Sequence, residues 1–295
     1  MSYSTRSLLP PSARRRLKSS LTHLPHPLRS GYGRVVVLCY HSVHPSKEFS
    51  SATPELFADQ IAWLKDNCRL VSFSDVLKQA RVSHKHEQPV VAVTFDDGYA
   101  DNYGFAFPVL NAYGVTATFF LTIGLIEQEA HVVERFRQQR ACSYEEVQPL
   151  TWDQILHMRK EGMEFGTHTW SHPNLARLDD DRATMELARS KQVLERRLGE
   201  TVTVCAYPYG KPHRHFTPRT MRIAAATGYT YAASATSRGL RPADETYAIP
   251  RFISNRDSPE QLESKILGSL DLLGTWQERA PMWLAGMVSP EDFTY

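Results

Sequence analysis

Cysteine is scarce in this 295-residue chain, and none is placed to pair. Cys39, Cys68, Cys142 and Cys205 lie far apart with no Cys-x-x-Cys spacing, so neither a disulfide framework nor a cysteine-built zinc site is supported. Cys39 and Cys205 stand inside apolar runs and are expected to be buried thiols that behave as small hydrophobes. Long apolar runs are missing too, since nothing approaches the roughly 18 residues of a membrane span. Arg14-Arg15-Arg16-Leu17-Lys18 faintly resembles a twin-arginine export signal, but Ser19-Ser20-Leu21-Thr22-His23 follows where an apolar core would have to stand. The expectation is a cytoplasmic protein.

Acidic residues are absent from residues 1–34, which hold seven basic ones (Arg6, Arg14, Arg15, Arg16, Lys18, Arg29 and Arg34). The formal charge of +2 is thus an arm of +7 ahead of a body of −5, with 27 basic against 32 acidic residues. A net acidic body argues against a general nucleic-acid binder, whose positive charge would sit on the folded surface. Within the arm, Ala13, Leu17, Leu21 and Leu24 recur at helical spacing beside Arg14, Arg15, Arg16 and Lys18, with Pro25 as a stop. That pattern fits a basic amphipathic helix lying on an anionic membrane surface, or equally one docked on the body. Residues 1–33 are therefore read as an arm, and 34–295 as one domain.

From residue 34 onward, short β-branched runs alternate with helical stretches, the pattern of parallel βα units. Seven strands are expected, at 34–40, 90–95, 116–122, 163–167, 202–206, 229–234 and 247–252. Thr53-Pro54-Glu55 opens a helix, residues 181–198 run to a stop at Gly199, and Ser258-Pro259-Glu260 opens a last helix with Leu262, Ile266, Leu270 and Leu273 on one face before Gly274. Residues 125–149 are polar with little periodicity and read as an insertion without chemistry of its own.

Four strand candidates run straight into polar residues: Tyr40-His41, Asp96-Asp97-Gly98, His168-Thr169-Trp170-Ser171-His172 and Pro208-Tyr209-Gly210. In a parallel barrel the C-terminal strand ends share one face, so these groups would converge there. His168 and His172, four apart, can bind one ion from a single turn of backbone. Two neutral imidazoles, one carboxylate and an open position make a catalytic zinc-type set. Asp96-Asp97 supplies that carboxylate and leaves one over, and neighbours at a strand end point in different directions. The spare carboxylate can take a proton from water acidified by the ion. Each element alone has an ordinary reading, Asp-Asp-Gly and Pro-Tyr-Gly as turns and His-x3-His as surface or core histidines, but all three follow strands in one series.

Thr94-Phe95-Asp96-Asp97-Gly98-Tyr99, His168-Thr169-Trp170-Ser171-His172 and Pro208-Tyr209-Gly210, in that order, resemble the first three motifs of the polysaccharide deacetylases, the NodB-homology or carbohydrate esterase family 4 enzymes. The resemblance spans roughly residues 35–255. It implies a distorted (β/α) barrel with about seven parallel strands and metal-dependent removal of N-acetyl groups from sugars. Carried over, Asp96 is the base, Asp97, His168 and His172 bind the metal, and the backbone N–H of Tyr209 helps hold the oxyanion. Zinc is the first expectation for a His2Asp set, with nickel, cobalt and manganese compatible. Trp170, between the two histidines, is expected to pack inward.

Two departures stand out. Ala206 occupies the position where the third motif usually begins with an arginine that orients the base. The late Leu-x-His motif that usually supplies the general acid has no counterpart, because no histidine follows His215, and the usual Asp-x-x-Asp-Trp partner is missing too. The start of the domain, Val37-Leu38-Cys39-Tyr40-His41-Ser42-Val43, is similar to the subgroup acting on poly-N-acetylglucosamine of biofilm exopolysaccharides, where an early histidine supplies the acid. Ile249-Pro250-Arg251 resembles that subgroup as well. His41 is then the expected acid and Arg251 the residue orienting Asp96, with His44, His213 and His215 unassigned. The expected partner is an N-acetylated glycan, polymeric or lipid-linked, which an arm on anionic lipid would meet. Two competing functions are hydrolysis of a non-sugar cyclic amide and a catalytically inactive carbohydrate-binding protein.

Overall fold

A computed structural model describes residues 33–46, 51–82, 87–140, 148–271 and 275. The basic arm and its expected helix, Cys142, and the end of the last expected helix at Leu273-Gly274 lie outside the described residues.

The strands are β1 (Val35–Tyr40), β2 (Ser42–Val43), β3 (Ser51–Ala52), β4 (Arg69–Val71), β5 (Val90–Phe95), β6 (Ala117–Leu121), β7 (Glu164–Thr167), β8 (Val204–Ala206), β9 (Tyr231–Ala233) and β10 (Phe252–Ile253). Eight of them form one parallel sheet in the order β10-β1-β5-β6-β7-β8-β9, with β4 alongside the first half of β5. The six residues of β1 pair in register with those of β5, Val35 with Val90 through Tyr40 with Phe95. Both strands are buried on both faces, as a parallel sheet covered by helices requires.

The period of two sorts these residues into layers. Val35, Val37, Val90, Ala92, Val204, Ala206 and Ala233 join Phe120 in one cluster inside the curled sheet. Val36, Leu38, Val91, Val93 and Phe95 belong to the larger cluster under the helices, with Phe57, Ile61 and Leu64. Those three come from the helix Pro54–Asn67, whose Thr53 side chain accepts from the Leu56 N–H at its start. The helix Asp180–Leu198 begins at an Asp179 cap and ends at Gly199, whose φ of +71° closes the last turn.

Three expectations change. The strand expected at 247–252 is split by Pro250, which has no N–H to give a ladder. Ile249 bridges to Ala233, whereas Phe252 pairs with Leu38 of β1. One kinked segment therefore touches both ends of the sheet and closes it into the distorted barrel. β4 escaped the sequence pattern because it is three residues long and begins with exposed Arg69. The helix opened by Ser258 stops at Ile266, before Leu270, because Gly268 adopts a φ of +89°.

Within the expected insertion at 125–149, residues 141–147 lie outside the described residues, and residues 125–140 are more ordered than their composition suggests. They include the helix Ala130–Arg140, from which Val132 and Phe136 pack with Leu125 and Tyr99. A buried stripe this narrow leaves almost no periodicity in the sequence. Residues 148–150 tie into the loop after Asp-Asp-Gly, through Ala100 N–H to Gln148 O at 2.8 Å and Leu150 N–H to Gly98 O at 2.9 Å. Among the described residues, no helix is long and apolar enough to cross a membrane.

Candidate active site

The inward set of β5, Val90, Ala92 and Thr94, continues to Asp96 one residue past the strand. Asp97 then leaves the alternation, because its φ of +73° turns the chain. Its fully buried carboxylate lies with Oδ1 3.5 Å from His172 Nε2 and 3.8 Å from His168 Nε2. One atom from each of Asp97, His168 and His172 falls within 4.8 Å of the others. These separations are longer than direct hydrogen bonds, so the three groups surround a space and do not bond across it.

His168 continues the inward face of β7, and its Nδ1 is 2.8 Å from the Ala206 carbonyl. A carbonyl only accepts, so Nδ1 carries the proton and Nε2 presents a lone pair to Asp97. Two imidazoles and a carboxylate, one imidazole with its tautomer set this way, fit a divalent cation with open positions. The metal expectation is thus supported by the donor set, at Asp97, His168 and His172.

The loop between the two histidines is held from behind. Glu186, on the helix Asp180–Leu198, accepts from the N–H groups of Trp170 and Ser171 at 2.9 and 2.8 Å and from the Ser171 hydroxyl at 2.7 Å. Trp170 packs inward as expected, with its indole N–H on Glu129 and the Arg189 guanidinium 3.4 Å over its ring. The His172 ring stands between Phe136 and Tyr209, with centroids at 5.1 and 4.7 Å. Asp97, Thr169, His172 and Tyr209 all have φ between +55° and +73°. Left-handed backbone at non-glycine residues costs about 1 to 3 kcal/mol each, and such strain gathers at functional sites. Gly210, beside Tyr209, has no room for a side chain, since a Cβ would fall 2.6 Å from the Ala235 nitrogen.

Asp96, whose Oδ2 lies 3.9 Å from the same His168 Nε2, is a carboxylate held by a cation. Arg251 Nη1 and Nη2 donate to Asp96 Oδ1 and Oδ2, both at 2.7 Å, a bidentate pair with both partners buried. Arg251 also donates from Nε to the Ser234 carbonyl at 2.9 Å. It reaches Asp96 from the kink after Pro250, with its guanidinium 5.4 Å from the Phe120 ring and 3.2 Å from the Thr94 hydroxyl. Burial opposes ionisation of Asp96, but the charge and hydrogen bonds of Arg251, with His168 and His41 nearby, outweigh it and hold the carboxyl well below its usual range.

His41 follows β1, and one atom each of Cys39, His41 and Asp96 lie within 4.8 Å of one another. Cys39 Sγ is 3.5 Å from Asp96 Oδ2. Burial keeps this thiol protonated, with its pKa well above the ordinary value. Because Arg251 already occupies both Asp96 oxygens, this second trio does not share the first one's fit to a cation. His215 lies outside both trios, its ring 5.1 Å from that of Tyr209, and burial together with Arg214 and Lys211 pushes its pKa down to about 4.

The structure therefore brings together His41, Asp96, Asp97, His168, His172, Tyr209 and Arg251. Sequence reasoning left out Glu186, an acidic residue on a helix rich in charge, and Phe136, in the segment assigned no chemistry. It gave Cys39 only a packing role, although the alternation in β1 places it on the same inward face as Val35 and Val37.

A parallel barrel carrying a buried cation-type trio beside an arginine-held carboxylate belongs to the hydrolases that split amide bonds. The chain is a member of the polysaccharide deacetylase family, whose sequence model matches residues 83–232, enzymes that act on linear amide C–N bonds. It is similar to YxkH of Bacillus subtilis, named as a candidate polysaccharide deacetylase, at 27% identity over 74% of this chain and 70% of that one. It is similar also to the poly-beta-1,6-N-acetyl-D-glucosamine N-deacetylase of Staphylococcus aureus, at 25% identity over 74% of this chain and 73% of the relative. Among solved structures, the Streptococcus pyogenes deacetylase PplD in complex with acetate superposes with a TM-score of 0.66 at 27% identity, covering 79% of this chain and 98% of that one.

Proposed function

We propose that this enzyme removes N-acetyl groups from a glycan rich in N-acetylglucosamine in a metal-dependent reaction, with Asp97, His168 and His172 as the metal ligands. The observation that carries the proposal is the pairing of two buried carboxylates with different partners: Asp97 faces two imidazoles, and Asp96 is gripped by Arg251. The name of the staphylococcal relative supports the choice of sugar.

A divalent ion at those three ligands, zinc first by donor type, would supply the Lewis acidity that acidifies a water and polarises the acetyl carbonyl. Asp96 is the base. Held ionised by Arg251, it accepts the proton of the attacking water as the new C–O bond forms. The Tyr209 backbone N–H stabilises the oxygen on which charge develops, commonly the largest single contribution to such a reaction. His41, within 4.8 Å of Asp96, gives a proton to the sugar nitrogen as the C–N bond breaks. Acetic acid and a free amino sugar result, and the proton gained by Asp96 matches the one lost by His41, so that its return resets both groups. His41 takes the place of the missing late histidine, and Arg251 that of the arginine absent at Ala206.

Acetate release from N-acetylglucosamine oligomers of several lengths and linkages, measured with the metal content of the same preparation, tests the proposal. Release that is lost on chelation and restored by zinc is expected. Metal-loaded protein that releases no acetate from any glycan would overturn the sugar assignment in favour of a non-sugar amide, and undiminished activity in metal-free protein would overturn the metal dependence.

A further inference from the structure

His41 is the first residue beyond the sheet ladder. The last ladder pair of β1 is Tyr40 with Phe95, and the Asp96 N–H closes on the Tyr40 carbonyl at 2.9 Å. At His41 the backbone bonds pass to two side-chain amides from distant parts of the chain. Its N–H donates to Asn255 Oδ1 at 3.0 Å, and its carbonyl accepts from Asn102 Nδ2 at 3.0 Å. Both asparagines are buried.

Each amide is rooted close to a residue of the proposed chemistry. Asn102 stands six residues after Asp96, where its Nδ2 also reaches Asp101 Oδ1 at 2.8 Å. Asp101 in turn receives the Ser42 hydroxyl at 2.5 Å, which ties down the residue after His41. Asn255 stands four residues after Arg251, in a segment fixed by the Ser254 N–H on the Cys39 carbonyl at 3.0 Å and by Gln60 on the Ser254 and Asp257 carbonyls. The strand end bearing the proposed acid is thus tied directly to the chain segments bearing the base and the arginine that holds it.

We infer that Asn102 and Asn255 are positioning residues for the leaving-group proton transfer: they clamp the backbone of His41 so that its imidazole stays in reach of the sugar nitrogen. The inference rests on the assignment of His41 as the acid. Neither amide touches the reacting atoms. A residue at a strand end has no ladder to set its direction, and misplacement of a reacting group by about 1 Å is enough to lose on the order of 100-fold in rate. Buried backbone groups also need partners, so loss of either amide loosens the turn itself.

The experiment uses two substrates that differ in their need for the proton. Amide cleavage in an N-acetylglucosamine pentamer expels an amine that must be protonated, whereas 4-nitrophenyl acetate expels a phenolate that leaves without help. Asn102→Ala and Asn255→Ala are expected to lower kcat/KM on the pentamer by about 10- to 100-fold, part of the ~100-fold or more that a general acid contributes, and to change ester hydrolysis by less than about threefold, with metal content unchanged. Made in a His41→Ala background, neither substitution should lower pentamer turnover further, because residues acting through one group are not additive. Asn255→Asp, which keeps the acceptor for the His41 N–H, should retain most pentamer activity and decides the matter if the alanine variants fold poorly. Equal losses on both substrates, or full additivity with His41→Ala, would overturn the clamp and leave the acid assignment standing. Unchanged pentamer turnover in His41→Ala alone would remove the acid assignment and the clamp with it.

Discussion

Asp97, His168 and His172 reach their places through local backbone geometry, whereas Asp96, Arg251 and His41 are assembled across the whole domain. The first trio comes from two short motifs, and its shape is set by left-handed backbone at Asp97, Thr169 and His172 and by Glu186 gripping the loop between the histidines. None of Asp96, Arg251 and His41 has a positive φ. That set is held by a buried ion pair between residues 155 apart in sequence and by long-range amide bonds to His41. The metal-type half thus holds conformational strain that its surroundings must offset, while the proton-transfer half holds buried charge that must stay paired. The two halves should fail in different ways.

The largest effect is expected from separating the two neighbouring carboxylates. Asp97→Ala should remove bound metal and lower deacetylation by more than about 1000-fold, since both oxyanion stabilisation and water activation are lost. Asp96→Asn should keep the metal and still lose roughly 100- to 10,000-fold, the range of a general base. Metal analysis beside turnover checks both, and loss of metal in Asp96→Asn would abolish the division into halves.

A smaller effect tests the ion pair. Arg251→Ala leaves the Asp96 charge buried without its partner and should cost about 3 to 5 kcal/mol of stability, read as a fall in the urea midpoint. Arg251→Lys keeps the charge but not the two-pronged geometry, so it should recover much of the stability and less of the turnover. Equal recovery of both would mean that Arg251 matters to the fold alone.

The smallest effect concerns the rim of the metal-type half. With its folded pKa pushed down to about 4 from an ordinary 6.5, His215 is neutral where the unfolded chain would protonate it. Between those values the unfolded state binds more protons. The contribution of His215 is therefore full above pH 6.5 and is lost as pH falls toward 4. Discounted for its partial exposure, it is on the order of 1 kcal/mol. Urea titrations at pH 7 and pH 4.5 should show the parent losing stability relative to His215→Gln as pH falls, because only the parent bears the cost of protonating a buried imidazole, whereas a constant difference would show that His215 does not titrate this way.

What is legible in the sequence follows the same division between local and long-range determinants. The metal-type trio was legible because its determinants are local: two histidines four apart, two adjacent carboxylates, and strands recognisable by their β-branched runs. His41 could be placed at a strand end, but its role as acid, like Arg251 altogether, entered only through resemblance, since no spacing connects residue 41 or 251 to residue 96. Glu186 was invisible among the charges of its helix, and Cys39 was taken for packing because alternation along β1 does not reveal what lies opposite.

By itself, then, the order of residues determined the parallel barrel, the chemistry of its strand ends and the family, because strand period, helix caps and metal-type spacing are properties of short stretches of chain. Only the tertiary structure decided how the proton-transfer half is built. Pro250 interrupts the last strand, so that one segment pairs with β9 before it and with β1 after it, and that closure delivers Arg251 to Asp96 and Asn255 to His41. The physical reason is that a buried charge or an unladdered strand end must find its partner wherever the fold brings one within about 3 Å, and distance along the chain carries no information about that.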